Sequence, residues 1–424
     1  MKGPLLHIIS SLDPRGGGPA EVIRQLGPVL ERDHGWTSRV VTLDAPDAPW
    51  LPDFPIETVA LGPARSGYRY APKLVPWLRA HAAEAAAVIV HGLWQYPGFG
   101  TWRALRGTAI PYFVYPHGML DPWFKRTYPL KHLKKWLYWP WAEFRVLRDA
   151  RAVLFTCEQE RRLARQSFAL YGCHERLAPL GIAAPEGDPE AQREAFLAAY
   201  PALRGTRLLL FLGRVHEKKG CDLLIRAFAE TLRQSPISDH QSPASAPLHV
   251  VIAGPCADPA YLASLQALAT KELFAFQFPL SAFPISFLPM LTGDLKWGAL
   301  RAAEAFVLPS HQENFGIAVV EALASGTPVL ISDQVNIWRE IEADGAGMVE
   351  PDDLAGTVRM LKRWLALPVE ERPAFRAAAT SCFDRHFEAT RAGAAFVEAL
   401  FPKTGDAAGH AATLGLPGTA AGTT

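Results

Sequence analysis

The chain has 424 residues, 49% of them hydrophobic, and a formal charge of +1. That length predicts two or three domains with sizeable cores, and the near-zero charge gives no electrostatic case for nucleic acid as a partner. The five cysteines, odd in number and without a C-x-x-C pair, fit a reducing compartment and buried small side chains rather than disulfides or zinc.

The N-terminal MKGPLLHIIS turns polar too soon to read as a signal peptide. Apolar runs predict strands over 5–9, 39–43, 56–61, 88–91, 110–115, 152–156 and 176–180. Amphipathic stretches predict helices over 20–33, 72–87, 130–148 and 158–167. GIAAPEGDPE, from Gly181, breaks this alternation and reads as an interdomain linker. A second alternation follows, with strands over 208–212, 249–253, 305–308 and 328–331 and helices over 222–232, 259–272 and 316–324. Two such series predict an α/β fold of two doubly wound Rossmann-like domains facing across a cleft. A ligand would lie in that cleft, outside the strand C-termini.

Three segments stand outside the pattern. SPISDHQSPASAP, after Gln234, is Ser/Pro-rich and reads as a mobile loop. Segment 273–293 runs 21 residues without a charge, but Pro279, Pro284 and Pro289 argue against a spanning helix, so it reads as two short strands or loops. The tail 404–424 is mostly Gly, Ala and Thr and is expected to be disordered.

Four motifs follow strands. PSHQENFGIAVVEALASGTPVLI, at 309–331, puts Glu313 in a loop, Gly316 at a helix start and Glu321 within that helix. A helix N-terminus after a strand suits a diphosphate, and a carboxylate on each side suits hydroxyls, so the segment suits a nucleotide-sugar. The plainer reading is a loop acid favoured by the helix dipole and a solvated helix glutamate. FLGRVHEKKG, at 211–220, supplies Arg214 and Lys219, cations able to meet the charge of a departing diphosphate. They equally fit two surface cations. DPRGGGP, at 13–19, lets backbone N–H groups approach a ligand at Gly17 and Gly18, or is simply a flexible connection. YPHGMLDPW, at 115–123, carries His117 to the cleft, where it meets a sugar hydroxyl or serves as a structural donor. HGLW, from His91, is a weaker case of the same layout. No strand-terminal Asp-x-Asp, P-loop, G-x-S-x-G or H-E-x-x-H occurs. Metal-bound diphosphate is therefore not suggested.

In combination these motifs resemble the retaining glycosyltransferases of family 4, the group 1 family with the GT-B fold. The matching residues are GGGP at 16–19, PHG at 116–118, GR-x4-KG at 213–220 and the E-x7-E element from Glu313 to Glu321. The resemblance covers about residues 1–400. It implies that Arg214 and Lys219 hold the donor diphosphate and that Glu313 bonds the donor sugar. The backbone of Asn314, Phe315, Gly316 and Ile317 would contact sugar and phosphate, and Glu321 the ribose. Gly17 and Gly18 would pack against phosphates or acceptor, and His117 would face the transferred sugar. The expected domains are 1–183 on the acceptor side, 184–388 for the nucleotide-sugar, 389–403 as a helix crossing back to the first domain, and the tail 404–424. The chain departs from the family at Leu180-Gly181-Ile182-Ala183, in the hinge, and at Phe287-Leu288-Pro289, where the nucleobase pocket is often built.

The implied activity is retaining, metal-independent sugar transfer from a nucleotide-diphosphate sugar to a glycan or lipid-linked glycan, with no cofactor, in bacterial exopolysaccharide or lipopolysaccharide assembly. The departing diphosphate would itself take the acceptor proton. Between 123 and 151, Trp123, Phe124, Tyr128, Trp136, Tyr138, Trp139, Trp141 and Phe144 stand among eight Lys and Arg. That mixture suits an anionic membrane surface and hence a cytoplasmic enzyme at the inner face of the membrane, or else a packed helix with a cationic solvent side. Competing readings are a nucleotide-sugar epimerase of the same architecture and a non-catalytic nucleotide-sugar-binding subunit.

Overall fold

The computed structural model describes residues 3–16, 18–234, 246–276 and 283–402. Strands β1 (Leu5–Ile9), β2 (Ser38–Thr42), β3 (Glu57–Ala60), β4 (Ala87–His91), β5 (Tyr112–Tyr115), β6 (Ala152–Phe155) and β7 (Glu175–Leu177) form one sheet, ordered β3-β2-β1-β4-β5-β6-β7. Strands β8 (Arg207–Leu212), β9 (Leu248–Ala253), β10 (Ile285–Leu288), β11 (Ala305–Leu308), β12 (Val329–Ser332) and β13 (Gly347–Glu350) form a second, ordered β10-β9-β8-β11-β12-β13. Every ladder is parallel, for example Leu5↔Ala87 and Phe306↔Val329. Parallel strands need cover on both faces. Accordingly β1, β4, β5, β6, β11 and β12 are buried along their whole length. In each sheet the strand order reverses beside the first strand, between β1 and β4 and between β8 and β11. Such reversals open a crevice at the strand C-termini.

Several helices differ from the sequence reading. Helix Tyr96–Leu105, whose first turns read YPGFG, was not among the expected helices. Its glycines are sites of close packing: a Cβ on Gly100 would lie 2.8 Å from Leu74 Cδ2. The linker after Gly181 is shorter than expected, because Asp188 caps helix Pro189–Ala199. Asp followed by Pro is a helix start, here read as a break. The stretch 130–148 is two helices, Pro129–Tyr138 and Glu143–Asp149, parted around Pro140. Of segment 273–293, the described part holds the end of helix Pro259–Leu273, strand β10 and the start of helix Gly293–Ala302. Most of the Ser/Pro-rich insertion and the tail lie outside the described residues.

The two halves are joined twice. Ile182 N donates to Phe387 O at 3.0 Å, and Ala389 N donates to Ile182 O at 3.0 Å. Gly181 admits this crossing, since a Cβ there would sit 2.6 Å from Ala392 Cβ. The last helix, Ala389–Leu400, is capped by Glu388 and packs on helix Gly18–His34 of the first half. Its Phe396 is fully buried beside His7 and Tyr115.

Candidate active site

Strands β8 and β11 are neighbours, so the loops that follow them meet at one sheet edge. His311 N donates to Lys218 O at 2.8 Å, and Ser310 Oγ to the same oxygen at 2.9 Å. Gly220 makes this contact possible. Its φ is +68°, and a Cβ there would lie 2.1 Å from Pro309 O, a position closed to other residues on both counts.

Within this seam Lys219 Nζ is in close contact with Glu313 Oε2, both side chains being largely buried. Burial, followed by repulsion from Lys218 and Arg214, lowers the Lys219 pKa to about 7. Lys218 is lowered to about 8 by burial and by Arg214, and its Nζ donates to Gln312 Oε1 at 2.9 Å. Arg214 is exposed beside them. Three cations thus crowd one edge against one carboxylate, an arrangement that favours an incoming polyanion. The backbone of Glu313 is clamped by Gln334 O and Asn336 N, both at 3.0 Å.

Helix Ile317–Ala324 follows directly. Gly316 caps it in the left-handed region, at φ +74°, so the first N–H groups, which lack intrahelical acceptors, face outward from the strand end. Phe315 turns its side chain inward against Phe387, leaving only its backbone for a ligand. Glu321 is buried on the helix, and Lys296 Nζ donates to its Oε1 at 2.6 Å. Burial raises the Glu321 pKa, against the pull of Lys296.

The first domain closes over this edge. Gly118, at φ +75°, lies so near Asn314 that a Cβ would be 2.7 Å from Asn314 Cβ. Asn314 Nδ2 donates to Thr156 Oγ1 at 3.1 Å, and Gln312 Nε2 reaches Asp121 Oδ2 at 3.4 Å. Buried Glu160 accepts from Gly118 N at 2.6 Å and Thr156 N at 2.7 Å, fixing the loop that carries His117. His117 is half-buried, has φ +51°, and burial lowers its pKa to about 3, so its ring is neutral. Its Nε2 lies 3.0 Å from His91 Nδ1. His91 itself is buried behind it and does not reach the cleft, unlike the sequence reading. Gly18 sits 3.6 Å, by its Cβ position, from Ile317 Cδ1. Gly17 lies outside the described residues.

The structure therefore gathers Arg214, Lys219, Glu313, Asn314, Gly316, Ile317, Gly18 and His117 around one crevice. Sequence reasoning missed Lys218, Lys296, Gln312 and Asp121. The Lys218-Lys219 doublet was visible, but nothing in one sequence pairs Lys296 with Glu321. Among the described residues, no group of three or more His, Cys, Asp or Glu is placed to hold a metal ion.

Two family models match the chain: "Glycosyl transferases group 1" over residues 192–381 and "Glycosyl transferase 4-like domain" over residues 17–172. D-inositol 3-phosphate glycosyltransferase of Nocardiopsis dassonvillei is 29% identical over 53% of this chain and 50% of its own length. The protein of the same description from Frankia alni is 35% identical over 43% of this chain and 41% of its own. The chain thus spans half the length, or less, of these curated relatives. Sucrose-phosphate synthase from Thermosynechococcus elongatus aligns in three dimensions with a TM-score of 0.69 at 20% identity, over 93% of this chain and 97% of that one. Anabaena HepE, solved in complex with UDP and glucose, gives 0.69 at 16% identity, over 94% and 99%. The fold is GT-B.

Proposed function

The chain belongs to the group 1 glycosyl transferases, and from that premise we propose that it is a retaining, metal-independent glycosyltransferase using a nucleotide-diphosphate sugar. The observation that carries the reading is the close contact of Lys219 with Glu313, beside Arg214 and the helix at Gly316 and opposite His117. On donor binding, Lys219 and Arg214 turn to the diphosphate, Glu313 takes sugar hydroxyls, Glu321 takes the ribose, and His117 meets the sugar from the other side. The bond from the anomeric carbon to phosphate breaks, and the acceptor oxygen bonds to that carbon on the face being vacated. The acceptor proton passes to the departing diphosphate, whose charge the two cations stabilise. Calorimetry with UDP, GDP and ADP tests the donor site. At least one should bind, and binding should weaken sharply in Lys219→Ala and Arg214→Ala; equal affinity in both variants would defeat the assignment.

The acceptor is a glycan or lipid-linked glycan, as in exopolysaccharide or lipopolysaccharide assembly. A cavity of about 390 Å³ opens beside Ser11 and Asp13, next to the loop that meets Ile317. Asp13, Asp44 and Asp47 line it; Asp44 holds Arg69 at 3.3 Å, and Arg15, paired with Asp13 at 2.7 Å, lies over the Trp50 ring at 5.9 Å. With each guanidinium held by an aspartate, that lining suits neutral hydroxyls better than a sugar phosphate.

A membrane-facing surface supports the lipid-linked choice. Of the aromatic residues named from sequence, Trp139 is buried, and Tyr138 is tied to Tyr68 through their hydroxyls. Instead helix Pro129–Tyr138 and the turn after it present Leu130, Leu133, Trp136, Leu137 and Trp141 to solvent, at 83%, 60%, 42%, 69% and 70% exposure. Lys125, Arg126, Lys131 and Lys134 are exposed around them. An outward apolar stripe with a cationic rim matches an anionic bilayer surface. Among the described residues, no helix is long and apolar enough to cross a membrane. The exposed stripe and its cationic rim support a peripheral enzyme at the cytoplasmic face. Co-sedimentation with phosphatidylglycerol vesicles should be lost in Leu133→Glu/Leu137→Glu while donor affinity is kept; equal sedimentation of wild type and variant would remove the surface.

A further inference from the structure

His117 is the front of a file of three imidazoles that runs from the cleft into the core. His117 Nε2 lies 3.0 Å from His91 Nδ1, and His91 Nε2 lies 2.9 Å from His7 Nδ1. The ring planes agree within 16° and 30°, with centroids 5.3 and 5.2 Å apart. These separations exceed the N···N distances by about the width of one ring, so the rings meet end to end, as in-line hydrogen bonds require. Topology builds the file: β1, β4 and β5 are adjacent, with His7 opposite Ile89 and His91 opposite Tyr115. Alternation therefore puts His7 and His91 on one face, and the positive φ of His117 accompanies the return of its ring to them.

Each N···N contact needs one proton. Three neutral rings carry three N–H groups, so two fill the contacts and the third must stand at an end. Either His117 Nδ1–H faces the cleft and His7 Nε2 is bare, or His7 Nε2–H is buried and His117 Nδ1 is bare. Any other arrangement opposes two protons or two lone pairs. His7 Nε2 is buried without a hydrogen-bond partner, and a buried N–H with no acceptor is rarer than an under-used acceptor. The first arrangement puts its spare N–H where water or a ligand accepts it. Burial keeps all three rings neutral: it lowers His7 to about 4, His117 to about 3, and His91 well below its ordinary value.

We propose that His91 and His7 are positioning residues that fix the tautomer of His117, so that its Nδ1–H is presented as a hydrogen-bond donor to a hydroxyl oxygen of the bound sugar. The role in turnover rests on the glycosyltransferase reading; the tautomer itself does not. Long-range 1H–15N correlation on 15N-histidine-labelled protein should find all three rings as Nδ1–H between pH 6 and pH 8.5. Any of the three found as Nε2–H, or doubly protonated, would overturn the proposal whatever the reaction is. Kinetics supply the second readout. His91→Asn keeps an amide N–H where Nδ1 stood, whereas His91→Phe fills the buried site with an apolar ring. Positioning predicts that His91→Phe loses about 10- to 100-fold in kcat and that His91→Asn recovers most of it. A purely structural role predicts the reverse order, since a buried site that needs only packing tolerates Phe better than Asn, and that order would refute the assignment to His91. Should neither variant fold, the wild-type spectrum decides.

Discussion

The Lys219–Glu313 contact gives the sharpest separation of structure from chemistry. The side chains keep only 13% and 17% of their surface exposed, so removing one partner strands a largely buried charge, at a cost of about 3–5 kcal/mol. The two losses are unequal. Lys219, with a pKa lowered to about 7 by burial, sheds its proton readily when Glu313 becomes Gln. Lys219→Met, by contrast, leaves the largely buried Glu313 carboxylate without its cation. At pH 6, where Lys219 is charged, Lys219→Met should therefore cost about 3 kcal/mol and Glu313→Gln about half of that. The double variant should cost less than the sum by about 1–2 kcal/mol. Urea unfolding of all four proteins measures the cycle. Activity should follow a different rule. Each single change should lower kcat by about 10²–10³, because each removes a group aimed at transition-state charge, and the double change should restore nothing. A double variant that regains turnover together with stability would show the pair to be structural, and the assignment of both residues would fall.

Donor affinity should depend on pH in a defined direction. Lys219 in the free protein is lowered to about 7, and a diphosphate raises it, so binding takes up protons above about pH 7 and affinity falls as pH rises through that point; calorimetry of nucleoside diphosphate binding in buffers of different ionisation enthalpy should register uptake, and less of it in Lys219→Met, where Lys218 remains. Glu321→Gln and Lys296→Met should each raise donor KM about tenfold with kcat nearly kept, the signature of ground-state binding; a fall in kcat with constant KM would move Glu321 from ribose to chemistry. Gly220→Ala should lose more than about 2 kcal/mol, from left-handed backbone and the 2.1 Å approach to Pro309 O. Because the loop of Lys218 and Lys219 must then shift, turnover should fall about 100-fold, and a variant of wild-type stability and activity would refute the seam.

The fold was legible wherever one physical signal dominated. Buried parallel strands need unbroken apolar runs, and β1, β4, β6, β8 and β11 were found within a residue or so because VIVH, AVLF and LLLFL have no other use. Helices were misread where a residue type has two meanings. Helix Tyr96–Leu105 went unassigned because its glycines, which mark close packing, interrupt a helical pattern, and Asp188-Pro189, taken into the linker, starts a helix. The E-x7-E segment pointed to its own geometry, since a strand, a left-handed glycine and a helix start are local features. Pairings across the chain were not legible: Lys296 with Glu321, Gln312 with Asp121 and the file from His7 to His117 exist only once the sheets bring distant strand ends together. The proposed membrane surface illustrates the same limit. Trp, Tyr and Lys were visible at 123–151, but tertiary packing decides that Trp139 is core and Leu130 is surface.

The central claim is that this crevice transfers a sugar from a nucleotide-sugar with retained configuration. The most direct measurement incubates the purified protein with UDP-, GDP- and ADP-sugars and a lipid-linked glycan acceptor, following released nucleotide and the product's anomeric proton by NMR. The account predicts nucleotide release coupled to a new glycosidic bond of the donor's anomeric configuration, abolished in Lys219→Ala and Glu313→Ala. An isomerised sugar without transfer, an inverted product, or binding with no release would contradict it.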